Sequence, residues 1–76
     1  MLKSIDKPDG YFGGRNFMTP LVLGYYELRH GYAELSEGTG ISHQPIFGVT
    51  VQPDTEKRSK VFQTRSAALH YIRDMS

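Results

Sequence analysis

Glu27 and Glu34 are the two side chains whose type and spacing come closest to a reactive arrangement. They lie in residues 25–37, Tyr-Tyr-Glu-Leu-Arg-His-Gly-Tyr-Ala-Glu-Leu-Ser-Glu. A turn centred on His30-Gly31 would close this stretch into a β-hairpin, pairing Arg29 with Tyr32, Leu28 with Ala33 and Glu27 with Glu34. Tyr26 would then face Leu35, and Tyr25 would face Ser36. Two carboxylates set opposite each other in a sheet repel. Such a pair can share a proton, hold a metal ion or receive an arginine from a partner. A catalytic pair also needs a pocket and environments that drive the two pKa values apart. A flat sheet face offers neither, so neutralisation by Arg29 and neighbouring cations is the simpler expectation. Two carboxylates alone leave a metal shell incomplete, and no metal or other cofactor is expected.

The remaining candidates for catalysis are weaker. His30, His43 and His70 are far apart, and none has a partner at metal-ligand spacing. No Gly-x-Ser-x-Gly elbow is present. Gly10, Gly13 and Gly14 match neither a Walker nor a dinucleotide fingerprint. The chain therefore reads as a non-enzyme. A different chemistry, phosphate contact, is suggested by Lys57, Arg58, Lys60, Arg65 and Arg73. Arg65 stands in the first turn of an expected helix, where a cation opposes the helix dipole unless an anion is near.

The elements that would position these groups follow from periodicity. Residues 1–20 carry Lys-Pro-Asp-Gly, Gly-Gly and a closing Pro20, and read as an irregular arm with a short strand near residues 2–5. Residues 21–76 read as one domain. Strands are expected at 21–30, 32–37, 46–52 and 60–63, with Gly24 marking a bulge or a close backbone approach. Residues 38–45 read as a flexible connection rich in turn formers. Thr64 is placed to cap a helix whose Ala68, Leu69, Ile72 and Met75 make an apolar stripe. The expected architecture is α+β: an antiparallel meander of about four strands with one C-terminal helix on one face.

Alternation along the hairpin divides its side chains. Tyr26, Leu28, Ala33 and Leu35 would meet the helix, together with Val49 and Val51. Tyr25, Glu27, Arg29, Tyr32 and Glu34 would share the other face, beside Ile46, Thr50 and Gln52. One helix cannot cover two faces, so the second is expected to stay in water, to lie under the arm, or to meet a partner.

Composition narrows the setting. A chain of 76 residues has a marginal core, and its nine aromatic residues offset part of that deficit. Without cysteine there are no disulfides and no thiolate metal sites, which fits a reducing compartment. Neither a signal peptide nor a membrane span is expected, so a cytoplasmic location is the default. Charge is unevenly distributed: residues 27–56 hold five carboxylates and one arginine, whereas residues 57–73 hold five cations and no carboxylate.

These observations point to a small protein-interaction module. Its binding residues are expected at Tyr25, Glu27, Arg29, Tyr32 and Glu34, and self-association through that face is one version. The alternative is a nucleic-acid-binding accessory protein using Lys57, Arg58, Lys60, Arg65 and Arg73. The acidic hairpin and the sequence pI of about 8.1 count against it, since phosphate contacts dominate nucleic-acid affinity. No small-molecule substrate is evident.

Overall fold

The computed structural model describes residues 2–8, 18–52 and 59–76. Among these the chain forms β1 (Ser4–Ile5), β2 (Leu21–Leu28), β3 (Gly31–Thr39), β4 (Pro45–Gln52), β5 (Ser59–Phe62) and α1 (Arg65–Met75). The strands pair antiparallel in the order β1-β2-β3-β4-β5, a five-stranded meander. The α+β expectation holds, and the additional strand is contributed by the arm. Ser4 pairs with Tyr26 and Ile5 with Tyr25, while Glu27 N donates to the Lys3 carbonyl at 2.9 Å.

The hairpin register differs from the expected one. The turn is at Arg29-His30, so Leu28 pairs with Gly31, Glu27 with Tyr32, Tyr26 with Ala33 and Tyr25 with Glu34. Gly31 has a φ of 143°, a conformation that side chains disfavour, and glycine absorbs it at the start of β3. The turn is also tied to the helix, because Arg29 N donates to the Met75 carbonyl at 3.3 Å. From Tyr25 to Leu28 each pairing is displaced by two residues, so these side chains keep their predicted faces although their opposite neighbours change. Two corrections follow. Glu27 and Glu34 are not opposite each other, and Arg29 lies in the turn instead of on the strand. Gly24 does mark a bulge: the β2–β3 register shifts between Val22 and Gly24.

The 38–45 connection is shorter and better ordered by hydrogen bonds than its composition suggests. Gly38 and Thr39 end β3, and Pro45 begins β4. Gly40 N donates to the Gln44 carbonyl at 2.7 Å, and His43 N to the Gly40 carbonyl at 3.1 Å. His43 takes a left-handed φ of 61° to close the turn.

The helix forms as its pattern predicts. Thr64 is extended and its hydroxyl accepts from Ala67 N at 3.1 Å, which satisfies one of the orphan amides of the first turn. At the other end Arg73 suits the negative pole, and Ser76 N and Oγ both donate to the Arg73 carbonyl. Ala68 and Ile72 are buried against Leu28, Ala33, Leu35, Phe47 and Val49. Tyr71, absent from the expected stripe, packs its ring 5.3 Å from that of Phe62 and extends helical cover to β5.

Candidate interaction surface

The face away from the helix is not bare. Glu34, Ser36 and Thr50 on that face are buried, with Glu34 only 2% exposed. Part of the cover is the end of the arm. Ser36 Oγ donates to Thr19 Oγ1 at 2.8 Å, and Thr19 is itself buried. A Cβ on Gly38 would overlap the Met18 carbonyl and come within 2.8 Å of Thr19 Cα. Gly38 therefore lets the backbone of the arm cross directly over β3. Of the three fates open to this face, cover by the arm is realised at the Ser36–Gly38 end.

The five residues expected to bind a partner consequently occupy different environments. Glu27 is exposed, and Lys3 Nζ stands 3.7 Å from its carboxylate in a solvated pair worth little to stability. Arg29 is exposed in the turn, while Tyr25 and Tyr32 are half-buried. Tyr25 lies opposite Glu34 and hydrogen-bonds to it. Burial raises the Tyr25 phenol pKa, and the hydrogen bond to Glu34 and the charges of Glu34 and Tyr32 raise it further. Glu34 thus belongs to a buried polar layer with Tyr25 and Thr50, its neighbours on either strand. Within this layer Thr50 Oγ1 and Glu34 Oε2 are buried without a hydrogen-bond partner among the described residues.

The basic residues are partly gathered. Lys57 and Arg58 lie outside the described residues. Lys60 Nζ sits 4.9 Å from the centroid of the Tyr71 ring, a cation–π arrangement. Arg65 and Arg73 line a groove of about 430 Å³ along the helix, together with Leu2, Ser66, Leu69 and His70. Within it Arg73 Nη2 is 2.8 Å from His70 Nδ1, and His70 Nε2 is 3.7 Å from Asp74 Oδ2. The three histidines are exposed, and no three His, Asp or Glu side chains converge among the described residues. No helix among them is long and apolar enough to cross a membrane.

A third region was not singled out by the sequence. Met18, Pro20, Leu21, Gly38, Thr39, Gly40 and Ile41, with the carboxylate of Glu37, surround an open groove of about 610 Å³ at one end of the sheet. Its apolar side chains face solvent: Ile41 is 99% exposed, Leu21 60% and Met18 54%. Val22, beside Leu21, is 44% exposed. Only the concentration of these residues makes them informative, because single exposed apolar side chains are ordinary. The readable signals were Ile41, isolated among turn formers, and Leu21-Val22-Leu23, an uncharged run that begins immediately after Pro20. Comparison with models of protein families, with curated proteins and with solved structures returned no significant match.

Proposed function

We propose that this chain is a small non-enzymatic module that binds protein through the apolar end of its sheet, around Met18, Leu21, Val22 and Ile41. The carrying observation is Ile41, almost wholly exposed beside the groove formed with Met18 and Leu21. Contiguous apolar surface on a small domain is a mark of an interaction site. Of the set Tyr25, Glu27, Arg29, Tyr32 and Glu34, Glu34 is buried, Tyr25 and Tyr32 are half-buried, and Glu27 and Arg29 are exposed. A non-catalytic role is supported by the separation of the carboxylates, one solvated beside Lys3 and the other within a sealed layer. A reducing, cytoplasmic setting accords with a chain free of cysteine. The test is a photo-crosslinking residue at position 41 in the native host, with position 30 as the control. Specific adducts at 41 and none at 30 support the reading; equal labelling at both removes it.

A second reading, nucleic-acid binding, rests on the groove shared by Arg65 and Arg73. Lys57, Arg58 and Lys60 are the other cations of the same stretch of sequence. Titration of labelled DNA and RNA at two salt concentrations decides the matter. Counterion release demands an affinity that falls steeply with salt, and binding absent at low salt eliminates the idea.

A further inference from the structure

We propose that the groove at the apolar end of the sheet takes a basic, partly apolar peptide segment of another protein. An arginine or lysine of that segment pairs with Glu37, and an apolar side chain beside it covers Leu21 and Ile41. The inference rests on the protein-binding reading above and names the chemistry of the partner. Among the described residues that line the groove, Glu37 alone is charged. It is half-buried, and its direct partners on the two flanking strands are Leu21 and Phe47. Its carboxylate therefore stands among apolar side chains.

Other carboxylates of the fold are differently placed. Glu27 has Lys3 beside it, Asp74 has His70 and Glu34 has Tyr25. Among the described residues no cation lies within ion-pair distance of Glu37. A carboxylate bordered by apolar surface complements an amphipathic cation. Arginine and lysine lay their methylene stems along apolar surface and carry the charge at the tip. Arginine can also form two parallel bonds to one carboxylate.

The shape fits a segment of chain. A volume of about 610 Å³ lies in the range of ligand sites, but the groove is open and does not enclose its occupant. In an extended peptide, residues two apart share one side at a spacing of about 7 Å. An apolar residue two places from an arginine can therefore meet Leu21 and Ile41 while the guanidinium reaches Glu37. The same carboxylate repels phosphate, so nucleic acid and anionic lipid are poor occupants here. In this the groove is opposite in charge to the one lined by Arg65 and Arg73.

The test uses the full chain to select from a displayed library of random dodecapeptides. Enriched peptides are then titrated by fluorescence against the wild type, Glu37→Gln, Glu37→Lys and Ile41→Ser. They are expected to hold arginine or lysine two positions from a large apolar residue. Glu37→Gln keeps the side chain's shape, so its melting temperature should be unchanged. It should nevertheless weaken the peptides about tenfold and flatten the fall of affinity with salt. Glu37→Lys should lose them and bind instead the same peptide with glutamate in place of its cation. Ile41→Ser should weaken them severalfold. Enrichment of acidic or neutral peptides, no enrichment, or affinity indifferent to Glu37→Gln overturns the inference. If crosslinking at position 41 is still specific in that event, the interaction module stands with a partner of different chemistry. Loss of that specificity removes both.

Discussion

The two faces of the sheet are covered to different extents and by different chemistry. One is sealed by the helix, with Leu28, Ala33, Leu35, Phe47 and Val49 against Ala68 and Ile72. The other carries Glu34, Ser36 and Thr50 inward and is crossed by Met18 and Thr19. Apolar burial on the first face is non-directional and supplies most of the stabilisation. Polar burial on the second is directional, since each group must find a partner in one geometry. The first face therefore determines that the chain folds, and the second, through Ser36, Thr19 and Gly38, fixes the path of the end of the arm.

Substitutions on the two faces should separate these roles. The largest effect is expected from Leu35→Ala, which opens a void in a fully buried position and should cost about 2–5 kcal/mol in urea unfolding. A loss well below that range would mean that the helix does not seal the first face. Gly38→Ala comes next. Its methyl overlaps the Met18 carbonyl, so the arm must shift, at about 1–3 kcal/mol by analogy with overpacking. The accompanying prediction is faster amide exchange at Thr19 with little change in the Ala68–Ile72 turn. Ser36→Ala removes the hydrogen bond to Thr19 and should cost about 1 kcal/mol. Equal sensitivity of both faces to Ala substitution would erase the distinction.

Alkaline pH probes the polar face through Tyr25. The Tyr25 phenol is raised above its ordinary pKa of 10.0, chiefly by burial and then by Glu34. A raised acid stabilises the fold while it remains neutral in both states. That contribution is complete below the unfolded pKa and is lost as pH climbs through the higher folded value. Stability should therefore decline above pH 10.0, and the decline should be shallower in Tyr25→Phe. Identical pH profiles for the two proteins would exclude Tyr25 as a source. The smallest effect on folding belongs to the apolar end of the sheet: Ile41→Ser should alter stability by less than about 0.5 kcal/mol while reducing capture of a protein partner.

Much of this arrangement was legible from side-chain alternation. The period-2 pattern assigned Tyr26, Leu28, Ala33 and Leu35 to one face, and the 3.6-residue stripe through Ala68 and Ile72 supplied its cover. Register was not legible, because a displacement of two residues preserves both faces and leaves the hydrophobic pattern indifferent. Local turn geometry decided it, through the positive φ of Gly31 and the tie from Arg29 to Met75. The partial closure of the second face was also hidden. It depends on a contact between Gly38 and Met18, residues whose local sequence carries no mark of their meeting. Likewise, Leu21 and Ile41 are 20 positions apart and become one surface only when β3 and the β3–β4 turn fold back beside β2.

Amide hydrogen exchange of the wild type and Gly38→Ala tests the contrast between the two faces most directly. Exchange at Thr19 and Ser36 should quicken in the variant, while Ala68–Ile72 and Leu35 keep their protection. Equal acceleration at Thr19 and at Ala68–Ile72, or none at Thr19, would contradict the account.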